Sequence, residues 1–176
     1  PTSGGPSYTN VTRLMSDGIN IYAANDGASL IKFNSNLVAL ATAAYTSLPG
    51  FTNTNAVVLG AGGDVYMQVN NATTTLKLLK YNAAFDGASP VAEVNVSTQM
   101  FPIIGNGGQF ELAFASNSVY LMGSAEDGSY LTIRKFDANL NDTGITGTFA
   151  PTRIQLGPGM MRRGPDHLLY IVTSGS

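Results

Sequence analysis

The chain has 176 residues, 44% of them apolar and 11% charged, with a net charge of −2 and no cysteine. That length holds one ordinary core, and the missing thiols exclude disulfides, thiolate metal sites and a cysteine nucleophile. With no basic run and no apolar run of about 18 residues, nothing points to nucleic acid or to a membrane span.

Residues 1–7, "PTSGGPS", read as a flexible N-terminal segment. A unit then repeats along the chain, and repeats decide the fold before anything else does. Residues 8–54 open with a strand holding Val11 and Leu14, turn at Ser16-Asp17-Gly18, and continue into a second strand carrying Tyr22. A hairpin "NDG" leads to a third strand ending in Lys32-Phe33, and Asn34 opens a turn into a fourth, "LVALAT". The stretch "NLVALATAAYTSL" has helical propensity, but its place in the repeat predicts strand. Residues 55–108 follow the same plan, with Val57 and Leu59, a turn at Ala61-Gly62-Gly63, Tyr66, "NNAT", Lys80-Tyr81-Asn82 and "PVAEVNV". Residues 109–158 do so again with Phe110, Leu112 and Phe114, Ser116-Asn117, Tyr120, "EDG" and Lys135-Phe136-Asp137. Gly and Asn supply the positive φ that tight hairpins need. Residues 159–176 contain only the first two strands of a fourth unit, with Tyr170 in "LLYIVTSGS".

In register, the four tyrosines stand 44, 54 and 50 residues apart. Each full unit adds a Lys-aromatic-Asn/Asp triplet, and an apolar residue follows three positions later at Leu37, Phe85 and Leu140. The pattern resembles the β-propeller repeat families. It implies an all-β propeller segment of about three and a half four-stranded antiparallel blades, with a β-sandwich as the alternative. A Trp-Asp signature and a kelch double glycine are absent, so no subfamily follows. Propellers close about 4–8 blades into a ring, and terminal repeat faces need a cap or neighbour. Three and a half blades therefore imply completion. It would come from a longer chain, from further copies, from a different protein, or from pairing of the last unit with the N-terminal strand.

The tyrosine column reads as core packing in central strands rather than as sugar platforms. Lys32, Lys80 and Lys135 read as stems covering a blade, with amines reaching solvent or a nearby carboxylate, rather than as an anion-binding ring. The acidic turns lack the close spacing of a calcium loop. His167 is the single histidine and has no serine elbow near it. Glu93, Glu111 and Asp86 are candidates for a paired-carboxylate glycosidase, though no spacing joins them. No metal site and no cofactor are expected, since phosphate-loop and dinucleotide fingerprints are missing. Asn10, Asn71, Asn95 and Asn141 head Asn-x-Ser/Thr sequons, possible glycan acceptors in a secreted protein.

The connections "AAYTSLPGFTNT", "STQMFPIIGNGG" and "TFAPTRIQLGPG" are long and mix Pro and Gly with large apolar groups. Loops on a rigid scaffold often carry function. A partner face is therefore expected around Tyr45, Phe51, Phe101, Arg153 and Gln155, with Arg162 and Arg163 near it. The competing reading has Phe51, Phe101 and Ile104 filling space between blades. The charge-poor, amide- and hydroxyl-rich composition suggests a secreted or cell-surface protein. The function expected is a non-catalytic extracellular interaction or structural module. Its partner would be a protein, further copies, or a glycan. The alternatives are a segment of a carbohydrate-active propeller enzyme and a self-associating subunit of a fibre or coat.

Overall fold

A computed structural model describes residues 11–25, 29–44, 53–70, 75–84, 89–98, 100, 109–124, 131–149, 161–166 and 168–171. They form fourteen strands and one 3-10 turn at Ala61–Gly63. The first sheet joins β1 (Val11–Ser16), β2 (Ile21–Asn25), β3 (Ser29–Phe33) and β4 (Ala39–Ala44) in chain order. The second joins β5 (Asn53–Leu59), β6 (Val65–Asn70), β7 (Leu76–Tyr81) and β8 (Ala92–Asn95). The third joins β9 (Gln109–Ala115), β10 (Ser118–Ser124), β11 (Leu131–Asp137) and β12 (Asp142–Phe149). A two-stranded sheet of β13 (Met161–Arg163) and β14 (Leu169–Ile171) follows. All pairings are antiparallel between consecutive strands.

The turn residues explain the meander. Gly18, Gly62 and Gly63 take positive φ where the first strand turns into the second. In the third sheet Ser116 and Asn117 both take it, as a two-residue hairpin of this hand requires. The Asn or Asp after the Lys-aromatic pair has a specific task in the first and third blades. Asn34 Oδ1 accepts the N–H groups of Asn36 and Val38, at 3.0 and 2.9 Å. Asp137 Oδ1 accepts those of Asn139 and Asn141, at 2.8 and 2.9 Å. One side-chain oxygen thus satisfies two turn donors. The apolar residue three positions on, Leu37 or Leu140, sits at positive φ. An L side chain there costs about 1–2 kcal/mol, offset where it packs, as Leu140 does in the core between the second and third sheets.

The sheets stack face to face in sequence. One core cluster joins Tyr22, Ala24 and Leu30 of the first sheet to Val65, Met67, Val69 and Leu79 of the second. Another joins Tyr66, Leu76 and Leu78 of the second to Leu112, Leu121, Phe136 and Leu140 of the third. A third joins Met122 and Leu131 to Met161, with Leu169 and Ile171 beside them. The second sheet is covered on both faces, so all six residues of β6 are buried. Successive meanders packed in this way are blades, and the two-layer sandwich alternative does not describe them. The first strands β1, β5, β9 and β13 lie side by side, which marks them as the inner strands of the arc.

Candidate functional site

The inner strands enclose a cleft of about 360 Å³. Strand register fixes which residue of each inner strand stands at the equivalent position. Arg13 faces Ala24 across β1–β2, Ala56 faces Gln68 across β5–β6, and Glu111 faces Met122 across β9–β10. Ala24, Gln68 and Met122 each lie two residues past the blade tyrosine. Arg13, Ala56 and Glu111 therefore hold one equivalent position in three successive blades. Because blade 2 supplies only a methyl group there, Arg13 reaches past it, and its Nη2 donates to Glu111 Oε2 at 2.7 Å. Glu111 is buried. Arg162 Nη1 lies 3.9 Å from its other oxygen and donates to the Met161 carbonyl at 3.1 Å. Removing one partner of a buried pair costs about 3–5 kcal/mol, because the remaining charge is stranded. The pair thus ties blade 1 to blade 3 across the axis.

Away from the cleft, the repeat builds a second device. Tyr22, Tyr66 and Tyr120 face Lys32, Lys80 and Lys135 directly across their strand pairs. Each ammonium stands 5.7–5.8 Å from its ring centroid, within cation–π range. The pair then reaches forward. Lys32 Nζ donates to the carbonyls of Ala83 and Ala84 in the next blade, at 3.2 and 3.3 Å. The Tyr66 hydroxyl donates to the carbonyl of Ala138 in blade 3, at 2.8 Å, and its ring stacks on Phe114 with centroids 5.5 Å apart. Ala83 and Ala138 occupy the same turn position of their repeats. Lys80 also pairs with Asp64 at 3.0 Å. The tyrosine with its lysine acts as a peg, and the next blade's third turn receives it.

Hydrogen bonding and burial leave a mark on the titration of these groups. Burial first, then the bond to Asp17 at 2.9 Å, pushes the Tyr22 phenol up to about 12. Burial works to raise the Asp17 carboxyl. Bonds from the Asn20 backbone and side chain, the Ile19 N–H and Tyr22 outweigh it and hold that group well below the ordinary carboxylate range.

Of the residues expected on a partner face, Tyr45, Phe51, Phe101, Arg153 and Gln155 lie outside the described residues. Arg162 and Arg163 are placed on β13, where they line the inner cleft. Among the sequons, Asn95 and Asn141 are exposed, while Asn10 and Asn71 lie outside the described residues. Glu93 sits on β8, the outer strand of blade 2, paired with Lys77. Glu111 sits on an inner strand of blade 3, so the structure does not bring these two carboxylates together. Asp86 and His167 lie outside the described residues. The Arg13–Glu111 tie was missed in the sequence. Its signal was present in the repeat register, though not in chain spacing. Among the described residues no group of three His, Asp or Glu is placed to hold a metal. No described helix is long and apolar enough to cross a membrane.

No family model and no curated protein matches the chain. Among solved structures, the Nup133 β-propeller domain of Vanderwaltozyma polyspora is similar in fold. The match has a TM-score of 0.42 and 10% sequence identity, over 80% of this chain and 44% of that one. The chain thus spans less than half the length of that propeller. The secreted or cell-surface location expected from composition is withdrawn, since the similar propeller is a nucleoporin domain. A charge-poor blade repeat is no mark of secretion, and the likeness assigns this chain no location of its own. The sheets themselves define the architecture: the chain is an all-β propeller segment of three four-stranded antiparallel blades and the inner two strands of a fourth.

Proposed function

We propose that this segment is a non-catalytic interaction and structural module that works as part of a larger propeller or assembly. One observation carries the reading: two columns of equivalent residues change exposure in opposite directions along the arc. The peg column runs Tyr22, Tyr66, Tyr120, Tyr170. The first two are buried under the following blade, Tyr120 is half-buried under the two-stranded sheet, and Tyr170 is 50% exposed. The socket column runs Leu14, Val57, Leu112, Met161, each one register step past its tyrosine's partner. Leu14 is 70% exposed and the other three are buried. Each blade thus offers a peg forward and a socket backward, and both exposed members sit on the terminal faces.

Such faces suit the addition of further blades, from the same polypeptide, another copy or another protein. The pairing of Glu93 with Lys77 and of Glu111 with Arg13 favours this module over the carbohydrate-active alternative, which needs two free converging carboxylates. The test is sedimentation velocity of the 176-residue chain over a concentration series. We expect reversible association, weakened by Tyr170→Asp and by Leu14→Asp. A monomer at every concentration, with a sharp, concentration-independent melt, defeats the proposal.

A further inference from the structure

We infer that the inner cleft is an anion-binding site, with Arg162 as its principal contact and an oxyanion, carboxylate or phosphate, as the group it takes. This goes beyond the module reading, because it concerns a small anionic ligand in the inner cleft and not the addition of further blades.

The charge count is the first step. The chain as a whole carries −2, yet the described wall of the cleft holds three arginines, Arg13, Arg162 and Arg163, against the single carboxylate of Glu111. A cationic concavity in an otherwise acidic protein concentrates anions, since low-dielectric walls focus the field.

Geometry singles out one arginine. Arg13 is committed: its guanidinium bonds Glu111 at 2.7 Å and is mostly covered. Arg162 is different. Its side chain is 62% exposed, and it stands 3.9 Å from Glu111 Oε1, close enough for attraction but beyond a hydrogen bond. Glu111 therefore attracts the Arg162 guanidinium without bonding it, and the guanidinium keeps its donors beyond the Nη1 bond to the Met161 carbonyl. A planar fork of this kind binds carboxylate or phosphate through two parallel hydrogen bonds. Beside it the wall is apolar, with Leu14, Val58 and Phe114. The cleft thus suits an anionic group carried on a small apolar body, the usual pattern of a few placed polar groups in an apolar pocket.

The same geometry gives Glu111 a sign that a purely structural pair lacks. Its carboxylate competes with any incoming anion, so neutralising it strengthens binding even as it loosens the fold. Replacing Arg162 removes the contact from an exposed side chain, with little effect on folding.

The experiment is titration of the full 176-residue chain with inorganic phosphate and, separately, with citrate. It is followed by amide chemical shifts, against sodium chloride at matched ionic strength. Saturable shifts confined to β1, β5, β9 and β13 are expected. R162A weakens binding roughly ten-fold, the equivalent of one charge-assisted bond. R162K weakens it less, and E111Q tightens it several-fold. Response to phosphate alone assigns a phosphoryl ligand, and response to citrate alone assigns a carboxylate. Shifts no larger than with chloride overturn the inference, as does an R162A variant that binds like the parent. If E111Q does not fold, the comparison of R162A with R162K still decides between a fork-shaped contact and a diffuse ionic atmosphere.

Discussion

Replacing Gly60 by alanine tests the peg directly. Gly60 lies six residues before Tyr66 with extended backbone, φ −91° and ψ −174°, which alanine also adopts. A Cβ there meets the Tyr66 ring at 2.5 Å and the Phe114 ring at 3.3 Å. Ordinary carbon contacts lie near 3.5–4 Å, so the Tyr66 ring must move by about 1 Å. It has nowhere to go, being buried between Gly60 and blade 3. Overpacking of this kind costs about 1–3 kcal/mol, and losing the hydroxyl bond to Ala138 adds about 1 kcal/mol. The stiffer unfolded chain returns about 0.4–1 kcal/mol, leaving a net loss of about 2 kcal/mol. In a chain of this size that lowers the melting temperature by about 4–8 °C, readable by calorimetry or circular dichroism. Gly164 is the internal control. It lies six residues before Tyr170, and its Cβ meets the same ring edge and the Asp166 carboxylate. Because Tyr170 is half exposed, its ring swings outward, and G164A should leave the melt of the isolated chain nearly unchanged. In an assembly that covers Tyr170, G164A should weaken association. Equal melting losses in the two variants, or none in G60A, refute the peg-and-socket account.

Two further predictions concern turns and pH. Asn34→Ala removes the acceptor of two turn N–H groups and should cost about 1 kcal/mol, by analogy with losing a helix cap. Asn34→Asp should be tolerated, because Asp137 makes the same two bonds; thermal melts of the pair check both. On the acid side, Asp17 has a folded value below its ordinary 3.8. Its contribution is present above pH 3.8 and lost as pH falls further, so D17N should show a smaller loss of stability between pH 6 and 3 than the parent. On the alkaline side, Tyr22 and Tyr81 are pushed up to about 12, each by burial first and then by Asp17 and Glu93 respectively. A raised folded value stabilises below the unfolded value of 10.0 and is lost as pH climbs towards 12. Denaturant midpoints should fall over that window, less steeply in Y22F.

Much of this architecture could be read from the residues because each blade writes its own boundary. A lone Asn or Asp after a Lys-aromatic pair is the residue whose oxygen closes the third turn, and its recurrence at Asn34 and Asp137 marked the blade. The strand over 39–44 was legible only from that register, since its Ala and Leu content favours helix. The Tyr–Lys pairs were partly legible: the core role of the ring follows from its strand, while the ammonium above it follows only from knowing which residues face one another. Arg13–Glu111 was hidden because it spans 98 positions, and chain distance carries no trace of a cleft. Arg162 and Arg163 read as neighbours of the expected partner face, and only the short pairing with Leu169 and Tyr170 sets them on an inner strand. Low charge does not by itself mark a compartment. Blade faces are covered by neighbouring blades, as in β6, so there is little surface on which charge is needed, whatever the compartment.

The opposed exposure of the two columns also constrains any partner. Tyr66 needs three things from blade 3: a carbonyl at the third turn, an aromatic ring face near the end of the inner strand, and an apolar sheet face. Tyr170 presents the same ring, though its hydroxyl is meanwhile held by Asp166 within its own turn. Tyr22 shows that such an internal bond is compatible with a fully buried ring, since it bonds Asp17 and still packs against blade 2. Docking on the Tyr170 face therefore does not require the Asp166 bond to break. It requires an apolar socket and, above the ring, a cation in the place that Lys32, Lys80 and Lys135 fill in the other blades. Here the two-stranded sheet has no third strand among the described residues to supply one. A partner that brings a lysine or arginine to that position completes the repeat. One that brings a carboxylate there places a charge against Asp166 and the ring face, which both repel it.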